Sequence, residues 1–140
     1  MPRILIATDA DRVLEEVTEA VSDDGVSFTV CSSGKQVVSA VQDRRPDIAI
    51  LDLQIGEMGG MAVTMSLRHE ESGGRLPHVP VLMLLDRRAD VHLARRSGAE
   101  GWLVKPLDAL RLRRAVQAIV DGKTYTEGTE TPAGPGTAAG

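Results

Sequence analysis

The chain has 140 residues, room for one domain with a proper core, and its 42% hydrophobic and 26% charged residues have the balance of a soluble globular protein. Aromatic residues are 2% and the formal net charge is −4, which argues against a base-stacking surface or a phosphate-tracking basic patch. Cys31 is the single cysteine, so an intrachain disulfide and a cysteine metal cluster are excluded, and a buried thiol in a reducing cytoplasm is expected.

The first apolar run, Ile4 to Ala7, is too short for a signal core or a membrane span and reads as a buried strand. A cytoplasmic protein without a membrane contact is expected. A helix follows from Asp11 to Ala20, with Val13, Leu14, Val17 and Val21 on one face. Val26, Phe28 and Val30 alternate as a second strand. Val37, Val38 and Val41 mark a second helix, closed by Arg45-Pro46. Ile48 to Leu51 is fully apolar, as a parallel strand covered on both faces should be.

Met61, Ala62, Met65 and Arg68 mark a third helix. Val79 to Leu85 is a fourth strand, interrupted early by Pro80. Ala89 to Arg96 forms a short helix stopped at Gly98. Trp102 to Val104 is the fifth strand. Asp108 caps the last helix, whose inner face holds Val116, Ile119 and Val120. Arg111, Arg113 and Arg114 on this helix read as a solvated face. Residues 123–140, rich in Gly, Thr, Pro and Ala, read as a flexible tail, which leaves 1–122 as the domain.

Strands alternating with helices in this way predict an α/β fold with a five-stranded, doubly wound parallel sheet. Its active crevice lies at the carboxyl ends of the strands. Thr8, Asp9 and Asp11 follow the first strand there, Asp52 and Gln54 the third, Leu85 and Asp86 the fourth, and Lys105 and Pro106 the fifth. Carboxylates from neighbouring strands plus one lysine suit a divalent cation and a phosphoryl group.

The stretch from Pro46 to Gln54, the Met58-Gly59-Gly60 loop and the stretch from Gly98 to Pro106 resemble the response-regulator receiver domains of bacterial two-component systems. The resemblance spans roughly Arg3 to Asp121. It implies a flavodoxin-like (βα)5 sheet with strand order 2-1-3-4-5. It also implies that Asp52 is the phosphoacceptor. Asp9, Asp52 and the backbone carbonyl of Gln54 would hold Mg²⁺, and Lys105, before a cis Pro106, would hold the phosphoryl group. The phosphodonor would be a sensor histidine kinase or a small phosphodonor. Such a protein is a signalling module, not an enzyme beyond its own phosphorylation and slow dephosphorylation. It is expected to act as a stand-alone receiver on a downstream protein target, without direct nucleic-acid contact.

The pattern departs from the family at the switch positions. Thr8 replaces one of two adjacent acids, which implies weak Mg²⁺ binding. Leu85 stands where a hydroxyl is usual, opposite the aromatic Trp102, and Asp86 adds a charge beside it. These departures favour a second reading, a pseudo-receiver that binds partners without phosphorylation. A further rival is a haloacid-dehalogenase-like phosphatase, with Asp9 as nucleophile in Asp9-Ala10-Asp11, Ser32-Ser33-Gly34 as a second motif and Asp86 with Asp90 as an acidic pair. It leaves Asp52 and Lys105-Pro106 without a role. A flavodoxin-type flavin carrier shares the architecture, but Asp9 and Asp11 would repel a bare phosphate in its first loop.

Overall fold

The computed structural model describes residues 2–127. In chain order the elements are β1 (Arg3–Ala7), α1 (Asp11–Val21), β2 (Ser27–Cys31), α2 (Val37–Asp43), β3 (Ile48–Asp52), α3 (Gly60–Ser72), β4 (Val81–Leu85), α4 (Val91–Ser97), β5 (Gly101–Val104) and α5 (Ala109–Val120). The strands form one parallel sheet in the order β2-β1-β3-β4-β5. The order reverses direction between β1 and β3, and such a switch point opens a crevice above the strand ends.

The pleat alternates side chains between two cores. Ile4, Ile6, Ile48, Ile50, Leu82 and Leu84 pack on one face against α1 and α5. Leu5, Ala7, Ala49, Leu51 and Val81 pack on the other against α2 and α3. Every residue of β3 and of β4 is buried, which accounts for their unbroken apolar runs. A third cluster lies under α4, where Met83, Leu85 and Trp102 meet Val91 and Ala94.

Several local expectations shift. β4 starts after Pro80, which cannot donate to a ladder, although its carbonyl accepts from the Ala49 N–H at 2.9 Å. The buried stripe of α3 is Val63, Thr64 and Leu67, while Met65 faces outward and Arg68 reaches Val79 O and Glu100 Oε1. On α5 the inner face is Leu112, Ala115, Val116 and Ile119. Val120 is 38% exposed, because it lies past the edge of that stripe. In β2, Val30 is exposed, since this strand is an edge of the sheet. Asp108 caps α5 as expected, accepting from the Arg111 N–H at 2.9 Å.

The segment expected as tail divides. Lys123 to Glu127 lies against β5 and α5: Tyr125 forms a parallel bridge with Gly101, and Glu127 bonds Arg111 and Trp102. The remainder of that expected tail, 128–140, lies outside the described residues.

Gly34, before α2, sets the loop that follows β3. Its N–H donates to Gly56 O at 3.1 Å, and any Cβ on it would collide with the Met58 carbonyl. Glu57 and Met58 both have positive φ (60° and 126°), so this loop has little freedom to retreat. Gly34→Ala should therefore destabilise the protein by about 3 kcal/mol, at the upper end of overpacking costs, as read from urea unfolding midpoints at unchanged slope.

Candidate functional site

Asp52 ends β3 and is 3% exposed, a carboxylate set directly on a buried apolar strand. Such a group needs partners for both oxygens. Lys105 Nζ, from the end of β5, donates to Oδ1 at 3.0 Å. The Thr8 hydroxyl, from the end of β1, donates to Oδ2 at 2.9 Å. The Asp52 carboxylate can only accept, so the Thr8 hydroxyl spends its single proton there, while its oxygen accepts from the Ala10 N–H at 3.1 Å. The Gln54 N–H approaches Oδ1 at 3.4 Å, and Gln54 itself is exposed on the loop after β3.

Lys105 is shared. The same ammonium donates to Asp86 Oδ1 at 3.0 Å, so it bridges a buried and an exposed carboxylate. Burial pulls its pKa down, but the bonds to Asp52 and Asp86 outweigh that and hold the ammonium above the ordinary lysine range. The Lys105–Pro106 bond is cis. Asp9 is exposed, and its Oδ2 accepts from the Gly56 N–H at 3.0 Å across the mouth of the crevice. Glycine at 56 leaves space there, since a Cβ would stand 3.3 Å from that oxygen.

The expected residues thus separate into two groups. Thr8, Asp52 and Lys105 meet directly, and Asp9 and Gln54 stand on the two loops flanking them. Leu85 and Trp102 do not face the crevice. Leu85 is 0% exposed and Trp102 is 5% exposed, both within the apolar cluster under α4. The indole Nε1–H donates to Glu127 O at 2.8 Å, and the Arg95 guanidinium stands 5.9 Å from the ring centroid.

Asp90, a member of the rival phosphatase pair, is buried and paired with Arg87 at 3.0 Å. Arg111 is not on a solvated face. It donates to Glu127, Asp108, Val104 O and Pro106 O. The Arg111 bond, aided by the Val104 N–H, holds the Glu127 carboxyl below its usual range against the opposing effect of burial. The role of Glu127 escaped the sequence because no periodicity marks it and its neighbours have the composition of a tail.

A parallel (βα)5 sheet with an acid and a lysine paired at its carboxyl edge has the architecture of a signalling receiver module. The model of the response regulator receiver domain matches residues 4–117, and the chain belongs to that family. The DNA-binding response regulator MtrA of Mycolicibacterium smegmatis is 34% identical over 118 residues, which cover 83% of this chain and 49% of MtrA. The transcriptional regulatory protein CseB of Streptomyces coelicolor is 28% identical over 137 residues, 96% of this chain and 56% of CseB. The chain therefore spans about half the length of the curated relatives it matches.

Among solved structures, the signal receiver domain of the putative response regulator NarL from Mycobacterium tuberculosis superposes with a TM-score of 0.74 at 28% identity, covering 87% of this chain and 98% of that one. Chemotaxis response regulator CheY4 of Vibrio cholerae gives 0.73 at 24% identity, over 84% and 97%, a likeness of fold. No helix among the described residues is long and apolar enough to cross a membrane.

Because its folded pKa is raised, Lys105 contributes stability fully below the ordinary value of 10.5 and loses it as pH rises through the folded value. Side-chain carbon NMR should show Lys105 titrating above 10.5, and Asp86→Ala should move that titration down. A titration that ignores Asp86→Ala would contradict the shared ammonium.

Proposed function

We propose that this receiver accepts a phosphoryl group on Asp52 and passes the signal on through protein contacts. The observation that carries the reading is the Asp52–Lys105 pair, 3.0 Å apart at the carboxyl ends of β3 and β5. In the transfer, an Asp52 oxygen bonds to phosphorus while the bond from phosphorus to the donor's leaving atom breaks, and an acyl phosphate results. Lys105 is placed to move from the carboxylate to a phosphoryl oxygen, where a cation is worth most. The donor class is a sensor histidine kinase or a small acyl phosphate, and the setting is the cytoplasm. DNA binding is named for MtrA and belongs to that protein.

Among the described residues no cluster of three or more His, Cys, Asp or Glu side chains is placed to hold a metal. The donors that remain still fit Mg²⁺, which takes one or two carboxylates and keeps several waters. Asp9, Asp52 and the Gln54 carbonyl are such a set, and Thr8 in place of a further acid makes it a weak one. When bound, the cation would neutralise charge on the phosphoryl oxygens. Two features of the chain slow the transfer. Thr8 donates to one Asp52 oxygen, and Asp86 competes for Lys105.

Incubation with Mg²⁺ and acetyl phosphate, followed by intact-mass measurement, tests the reading. One phosphoryl group should add to the protein, and none to Asp52→Asn. Omitting Mg²⁺ should reduce the labelled fraction severalfold. An adduct that persists in Asp52→Asn, or no adduct in the unmodified protein, would overturn it.

A second reading, signalling without phosphorylation, is favoured by one observation: the Leu85 side chain is wholly buried against Trp102 and can offer the phosphate no hydroxyl. A charge-assisted hydrogen bond contributes about 1.5–3 kcal/mol, enough to shift a two-state population roughly tenfold or more. Without it, beryllofluoride should leave the amide NMR shifts of Trp102 and of α5 nearly unchanged, and Leu85→Thr should restore part of the response. Large shifts reaching α5 in the unmodified protein would show that phosphate and switch are still coupled.

A further inference from the structure

The residues after α5 close the outer edge of β5 by several kinds of contact. The Trp102 N–H donates to Tyr125 O at 2.9 Å, and the Tyr125 N–H donates to Glu100 O at 3.2 Å, which lays Tyr125 parallel to Gly101. Gly101 permits this approach, because a Cβ there would collide with the Tyr125 carbonyl. The next outward amide of β5, Val104 N–H, donates to Glu127 Oε1 at 3.1 Å. The Glu127 carboxylate also receives the guanidinium of Arg111 on α5, with Nε at 2.7 Å, and its carbonyl receives the Trp102 indole at 2.8 Å.

Trp102 therefore has a directional bond on its C-terminal side and only aliphatic packing towards β4, where Leu85 carries no polar atom. We propose that Tyr125–Glu127 is a latch over the edge of β5, and that this latch, rather than the end of β4, sets the position of Trp102 and α5. Opening it releases two backbone N–H groups and an indole N–H along one strip, and leaves the Arg111 guanidinium held by Val104 O, Pro106 O and Asp108 alone. Any interaction that draws the C-terminal segment away then reaches Trp102 directly. The device operates whether or not Asp52 carries a phosphate.

The test uses the full chain with no phosphodonor present. Tyr125→Pro removes the N–H that bonds Glu100, and Glu127→Ala removes the carboxylate shared by Val104 and Arg111. Hydrogen exchange at the Trp102 and Val104 amides should quicken by roughly tenfold, the scale of one lost charge-assisted bond. Acrylamide quenching of Trp102, the chain's single tryptophan, should rise, and the α5 amide shifts should move. Protection in β1 and β3 should hold.

Glu127→Gln keeps an acceptor for Val104 and should give a smaller effect. Faster exchange at Val104 with unchanged quenching and unchanged α5 shifts would overturn the proposal, since the segment would then be a passive cover. Unchanged exchange in Glu127→Ala would do so as well. If Tyr125→Pro loses protection in β1 and β3, the two Glu127 variants decide alone.

Discussion

The site depends on one constraint, a carboxylate buried at the end of an apolar strand. Asp52 sits where β3 leaves the core, and a charge there is tolerable only with partners on both oxygens. The parallel sheet supplies them from two other strand ends, Thr8 from β1 and Lys105 from β5. Three segments distant in sequence thereby meet at one atom pair. The α/β winding also fixes what surrounds them, because every β-to-α loop on this side opens over the same crevice.

Asp86 changes the balance of that crevice. A lysine that served Asp52 alone would be free to follow a phosphoryl oxygen. Here the ammonium is divided between two carboxylates, one buried and one in solvent. The exposed bond is the weaker hold, since water screens it and competes for it. The arrangement stabilises the folded protein as it stands and, under the proposed function, costs some readiness for a phosphoryl group. Leu85 and Trp102 are buried together under α4, so neither side chain adds a polar group to the crevice.

Much of this was legible in the sequence. The apolar runs of β1, β3 and β4 are forced by burial on both faces, so they announce the parallel sheet and place Thr8, Asp9 and Asp52 at its carboxyl edge, where Lys105 joins them from the end of β5. What escaped depends on contacts that periodicity does not encode. The stripes of α3 and α5 are turned slightly from the expected faces, because Thr64 is buried as core and Val120 sits just past the edge. Arg111 looked like one of several solvated arginines, since its partner Glu127 lies 16 residues on in a stretch with the composition of a linker. The restriction at Gly34 comes from a backbone in another loop, which no local pattern reveals.

Sheet edges are where chains stick to one another, and natural proteins blunt or cover them. β2 is one boundary of this sheet, and the short bridge at Tyr125 makes the other boundary something other than a bare β5. The frontier of the folded unit therefore lies beyond the last helix. A protein severed at Gly122, the natural-looking border by composition, would present the outward amides of Trp102 and Val104 to solvent and to its neighbours. It would turn a finished margin into a template for strand addition, and self-association at high concentration is what such a shortened chain invites.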